Sequence, residues 1–138
     1  MERIYNCIAV FDEAREKCLF CLRQKDPYKG RYNFVGGKVE AGETSETAAY
    51  RELEEETGLS RDRIRLHRVM DLRYYQAGFS LEIYAGILHG PASLREEKNP
   101  LLWLPLTEDF TDRERFAGDQ NIAHIINIAL MTDLEGEE

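Results

Sequence analysis

From residue 51 to residue 59 the chain reads Arg-Glu-Leu-Glu-Glu-Glu-Thr-Gly-Leu, and this order constrains the fold more than any other stretch. On a helix, Glu52 and Glu56 are an i,i+4 like-charge pair and Glu52 and Glu55 an i,i+3 pair, each destabilising by roughly 0.2–0.5 kcal/mol. The carboxylates also fall near the helix C-terminus, where the macrodipole disfavours anions. A Glu-rich helix ordinarily presents a solvated acidic face. Here Glu52 and Glu56 border the apolar side formed by Ala49 and Leu53, so the charge lies beside the core. The nearby cation, Arg51, precedes Glu55 in the less favourable orientation for a helix pair. A bound divalent cation would relieve the repulsion, and oxygen ligands without His or Cys select hard ions, Mg²⁺ first and Mn²⁺ second.

The rest of the pattern surrounds this helix with strands. Thr44 is placed to cap it and Gly58 to end it, giving a helix to about Thr57. Upstream, residues 3–11 and 17–23 are rich in apolar and β-branched residues and read as paired strands, and residues 32–35 return to strand-like composition after the polar loop 24–31. Gly36, Gly37 and Gly42 allow positive φ or a close backbone approach. Downstream, residues 65–76 and 79–88 are predicted strands joined at Ala77-Gly78, and residues 101–106 form a further short one. Ile122, Ile125, Ile126, Ala129 and Leu130 have helical spacing and predict a last helix over 119–134. A chain of 138 residues has room for one core. The expectation is one α/β domain over 1–134, with a disordered tail over 135–138.

The formal net charge of −8 opposes binding to nucleic-acid polymers, and no basic run offsets it. It does not oppose a small phosphorylated ligand, because a divalent cation can bridge carboxylates and phosphate oxygens. No apolar run approaches the ~20 residues that span a bilayer, so a soluble, cytoplasmic protein without a membrane partner is expected. Cys18 and Cys21, three apart on a strand, should face opposite ways, and with Cys7 they read as reduced core thiols rather than metal ligands.

Gly37, Glu43, Arg51, Glu52, Leu53, Glu55, Glu56, Gly58 and Leu59 fill every fixed position of Gly-x5-Glu-x7-Arg-Glu-U-x-Glu-Glu-x-Gly-U, where U is aliphatic. The chain thereby resembles the Nudix (MutT-like) hydrolases. The resemblance implies a mixed β-sheet sandwiched between α-helices (α/β/α) and Mg²⁺-dependent cleavage of a nucleoside diphosphate linkage by water. It implies Glu52, Glu55, Glu56, the Gly36 carbonyl and Glu97 as metal ligands, and Glu52, Glu55 and Arg51 as the catalytic group. Glu52 is favoured as general base, and Arg51 and Glu43 hold the loop against the helix.

Around the box, the stretch from Gly30 to Val39 is similar to that of oxidised-purine nucleoside triphosphatases, as are Glu97-Lys98-Asn99-Pro100 before Trp103 and the position of Asp119. This likeness implies a purine triphosphate such as 8-oxo-dGTP, contacted by Asn33, Phe34, Lys38, Arg23 and Asp119. The bland readings stay open: Asn33 as a strand-end bond, Asp119 as a helix cap, Trp103 as core and Glu97 as loop charge. Val35 departs from the proline common in bacterial relatives, and Tyr74 and Tyr75 lie about where dinucleoside-polyphosphate hydrolases carry a tyrosine. ADP-ribose and dinucleoside polyphosphates are therefore alternative substrates, and a nucleotide-binding module without hydrolysis is the alternative of another class. A homodimer is among the expected assemblies.

Overall fold

The structure, a computed structural model, describes residues 3–118 and 120–135. Its strands are β1 (Arg3–Asp12), β2 (Lys17–Leu22), β3 (Tyr32–Asn33), β4 (His67–Tyr74), β5 (Phe79–Leu88) and β6 (Leu101–Pro105), and its helices are α1 (Ser45–Thr57) and α2 (Asn121–Met131). The sheet is mixed, in the order β3-β2-β1-β5-β4, with β6 paired to β2. Strands β1 and β5 are parallel, in a register that sets Ile8 opposite Tyr84, while β4 runs antiparallel to β5.

Alternation along the strands builds two apolar layers. Ile8 and Val10 of β1, Leu19 and Cys21 of β2 and Tyr84 and Leu88 of β5 enter one cluster with Ala49 and Leu53 of α1. Ala9, Phe11, Cys18, Phe20, Ile83, Ala85 and Ile87 enter the other, with Ile122, Ile125, Ile126 and Ala129 of α2. One helix thus covers each face, the expected α/β/α sandwich. Cys18 and Cys21 fall on opposite faces, and burial raises both thiols.

Several boundaries differ from the pattern-based expectation. The strand expected over residues 32–35 stops at Asn33, because the Asn33 Oδ1 accepts the Phe34 N–H at 2.8 Å and removes it from the ladder. The chain then leaves β2 for β1, where Ile8 N–H donates to the Val35 carbonyl at 2.8 Å. Strand β4 begins at His67 rather than Arg65, since the Leu66 N–H is taken by the Tyr50 hydroxyl. It ends at Tyr74 rather than Gln76, where the Gly78 N–H closes a turn onto the Tyr74 carbonyl. Helix α2 stops at Met131 instead of Leu134: Thr132 is extended and its hydroxyl donates to the Ile128 carbonyl. Leu134 is nonetheless buried in the α2-side core. Asp119, the expected start of this helix, lies outside the described residues, as do residues 136–138 of the expected tail; Glu135 is described and its carboxylate lies 3.1 Å from His89 Nε2. No helix among the described residues is long and apolar enough to cross a membrane.

Candidate active site

Helix α1 begins as its sequence dictates, with the Thr44 hydroxyl accepting the Thr47 N–H at 3.2 Å, and ends at Gly58, whose φ of 82° suits glycine. Between these caps Leu53 is fully buried and anchors the helix to the sheet, which brings the carboxylates of Glu52 and Glu56 against residues 36 and 37. The Gly36 N–H donates to Glu56 Oε2 at 3.2 Å. A Cβ on Gly36, at φ 144°, would collide with the Asn6 main-chain carbonyl, so that position requires glycine, while one on Gly37 would displace the Glu52 carboxylate from where it sits.

Arg51 stands behind this contact. Its Nε and Nη2 donate to the two oxygens of Glu43 at 2.5 and 2.9 Å, and Nη2 also to the Lys38 carbonyl at 3.0 Å. Its Nη1 reaches Glu52 at 3.2 Å and Glu55 at 3.3 Å. The bidentate bond holds the Glu43 carboxyl down at about 2 and raises the guanidinium above its ordinary value. Arg51 therefore ties the loop before α1 to two carboxylates of the helix, a use that outweighs its unfavourable order as a simple i,i+4 pair.

These carboxylates form one wall of a cleft of about 590 Å³. Glu52, Glu55, Glu56 and Glu97 line it together with Gly36 and Gly37, and Arg23, Lys25, Lys38 and Lys98 supply cations, with Phe34 and Cys21 in the floor. Burial is the main cause that pushes Glu56 up to about 7, with Glu52 adding to it, and burial likewise raises Glu52 against the pull of Arg51. As they stand, no three His, Cys, Asp or Glu among the described residues are grouped closely enough to hold an ion. Glu52 and Glu55 each turn an oxygen toward Arg51, and Glu56 turns one toward the Gly36 N–H. The chemistry of the set still fits a hard divalent cation: the donors are all oxygen, and two of them are carboxyls whose charged form is disfavoured where they sit.

Most of the residues singled out in the sequence thus meet at one place. Arg23, Phe34, Lys38, Glu52, Glu55, Glu56, Glu97 and Gly36 line the cleft, while Arg51 braces it from behind. Asn33 is not among the lining residues, and its Oδ1 is engaged by the Phe34 N–H. Trp103 joins the α1-side core and faces a separate hollow beside Lys17 and Leu88. Tyr74 stacks on Phe79 at 4.6 Å and its hydroxyl accepts from Asn121, while Tyr75 is 82% exposed; neither lines the cleft. Sequence reasoning missed Gln24, Lys25, Lys98 and Asn99. Asn99 Oδ1 accepts the Gln24 N–H at 3.1 Å and joins two loops at the cleft mouth. The signal was the cation and amide flanking Glu97 in a loop already marked as notable.

The chain belongs to the family described as NUDIX domain, whose model matches residues 2–121. It is 35% identical over 111 residues to the oxidized purine nucleoside triphosphate hydrolase of Mus musculus, a match covering 77% of this chain and 68% of the mouse protein. Its fold is that of an Ap4A hydrolase of C. elegans solved as a binary complex, with a TM-score of 0.73 and 19% identity over 91% of this chain and 93% of that one. It is also similar to a bifunctional NMN adenylyltransferase/ADP ribose pyrophosphatase of Francisella tularensis complexed with AMP and a manganese ion. There the TM-score is 0.70 and the identity 19%, over 92% of this chain and 42% of that one.

Proposed function

We propose that this chain is a Mg²⁺-dependent pyrophosphohydrolase, with Mn²⁺ able to substitute, that converts an oxidised purine nucleoside triphosphate of the 8-oxo-dGTP type into the monophosphate and pyrophosphate. The observation that carries the reading is a single cleft with carboxylates Glu52, Glu55, Glu56 and Glu97 on it and Arg23, Lys25, Lys38 and Lys98 around it. Carboxylates alone would repel a triphosphate, and cations alone would bind it without activating water.

Glu52, Glu55, Glu56, Glu97 and the Gly36 carbonyl would hold the cation. When bound, it neutralises phosphate charge and lowers the pKa of a coordinated water. The cations at the cleft mouth orient the polyphosphate chain. Glu52 accepts a proton from the attacking water, the new bond forms to phosphorus and the bond to the departing pyrophosphate breaks. Arg51 keeps Glu52 and Glu55 in place through the contacts that also bind Glu43. Phe34 offers an apolar edge, and base reading falls to the Asn33 amide nitrogen and to Asp119. The purine triphosphate reading is supported by the mouse relative.

A hydrolysis screen over 8-oxo-dGTP, dGTP, diadenosine polyphosphates and ADP-ribose tests the assignment. The expected result is the highest kcat/KM with 8-oxo-dGTP. A higher value with ADP-ribose or a diadenosine polyphosphate replaces the substrate and keeps the chemistry. Binding of nucleotides without turnover of any of them overturns the enzyme in favour of a binding module.

A further inference from the structure

Asn6, Ile8 and Val10 project to one face of β1, because alternate strand residues share a face. Ile8 and Val10 enter the α1-side core, and Asn6 is nearly as buried, at 3% exposure. Its Nδ2 finds no acceptor among the described residues, a cost that an apolar residue at this position would avoid. Its Oδ1, by contrast, accepts the Gly37 N–H at 2.9 Å, while its backbone N–H donates to the Gly37 carbonyl at 2.8 Å.

The first of these bonds has a directional consequence. The Gly37 N–H and the Gly36 carbonyl belong to one peptide unit, which is trans, and in a trans peptide the two groups point opposite ways. Holding the N–H toward Asn6 turns the carbonyl away from Asn6. Among the described residues that carbonyl receives no backbone N–H, and Gly36 and Gly37 both line the cleft. Two successive glycines, the first at φ 144°, would otherwise allow this peptide to flip.

We infer that Asn6 is a positioning residue: its side-chain amide locks the Gly36–Gly37 peptide so that the Gly36 carbonyl faces the cation held by Glu52 and Glu56. The inference rests on the cation-dependent reading above and deepens it. Asn6 touches neither the cation nor the substrate. It acts through a main-chain carbonyl, a group that every residue carries, by fixing the direction in which that carbonyl points.

The test uses the full chain and two readouts independent of turnover: Mn²⁺ affinity from the free-ion electron paramagnetic resonance signal, and hydrogen exchange of the Gly37 amide. Asn6→Leu, of similar volume but without an acceptor, should exchange the Gly37 amide at least ~10-fold faster and bind Mn²⁺ at least ~10-fold more weakly. Ile8→Val, on the same strand face, should lower Tm while leaving the Mn²⁺ Kd within about twofold. A folded Asn6→Leu with unchanged Mn²⁺ affinity overturns the role of Asn6 and leaves the cation site standing, whereas a wild-type chain that binds no Mn²⁺ overturns both. If Asn6→Leu does not fold, the wild-type amide decides: protection of Gly37 sustains the lock, and exchange at the rate of an exposed loop refutes it.

Discussion

Glu56→Gln should stabilise the metal-free protein above neutral pH and abolish most of its stabilisation by Mg²⁺. Burial lifts the Glu56 carboxyl from 4.5 to about 7. Between those values the folded state holds a proton that the unfolded chain has released, so folding is favoured at low pH and the benefit is lost as pH rises through about 7. At ~1.36 kcal/mol per pKa unit, the shift sets a ceiling of roughly 3 kcal/mol on the penalty of ionising Glu56 in the fold. Glu56 is only half-buried, and solvent screening trims this to about 1–2 kcal/mol. Glutamine keeps an acceptor for the Gly36 N–H that now reaches Glu56 at 3.2 Å and carries no charge. In the presence of a chelator at pH 8, Glu56→Gln should therefore melt several degrees above wild type, at about 3–5 °C per kcal/mol for a chain of this size. The advantage should vanish near pH 4.5. Adding Mg²⁺ at a hundredfold excess over Kd should raise wild-type stability by ~2.7 kcal/mol and the variant's by far less. Differential scanning calorimetry with and without Mg²⁺ measures both effects. A variant that melts below wild type at pH 8 without metal, or gains as much from Mg²⁺, refutes the account of Glu56.

Glu52→Gln should lower kcat by at least ~10² with a smaller change in KM, as loss of a general base does; restoration of the wild-type rate by saturating Mn²⁺ would make Glu52 a ligand only. Gly37→Ala places a methyl group into the Glu52 carboxylate, so steady-state assays should find most activity lost while circular dichroism reports an intact fold. Asn33→Ala removes the bond that ends β3 and should cost about 1 kcal/mol in urea denaturation. If Asn33 also reads the base, the same variant narrows the kcat/KM ratio of 8-oxo-dGTP over dGTP, and an unaltered ratio confines it to its strand-end bond.

The sequence disclosed those parts of the fold that rest on short-range chemistry. Helix α1 was legible because its caps, Thr44 and Gly58, act within a turn of their own positions, and the two faces of the sheet because Cys18 and Cys21 follow strict alternation. The site was legible where spacing alone places residues, as with Glu52, Glu55 and Glu56 on one helix. Contacts that depend on chain reversal were not. Nothing local in residues 6 and 37 announces the bond between the Asn6 side chain and the Gly37 N–H. The meeting of Gln24 with Asn99 likewise needs β2 and the loop before β6 to be brought side by side. The bond from the Phe34 N–H to the Asn33 Oδ1 was open as a strand-end reading in the sequence, whereas a base contact by the same side chain rests on the likeness of its neighbours to those of relatives.

If the carboxylates of α1 and the cations of the facing loops hydrolyse a purine triphosphate with the help of a divalent ion, 8-oxo-dGTP incubated with the purified chain and Mg²⁺ should yield stoichiometric monophosphate and pyrophosphate without orthophosphate, and none when a chelator replaces the metal. An equal rate with chelator, or no cleavage of any nucleotide with Mg²⁺ and Mn²⁺ both supplied, would refute that chemistry.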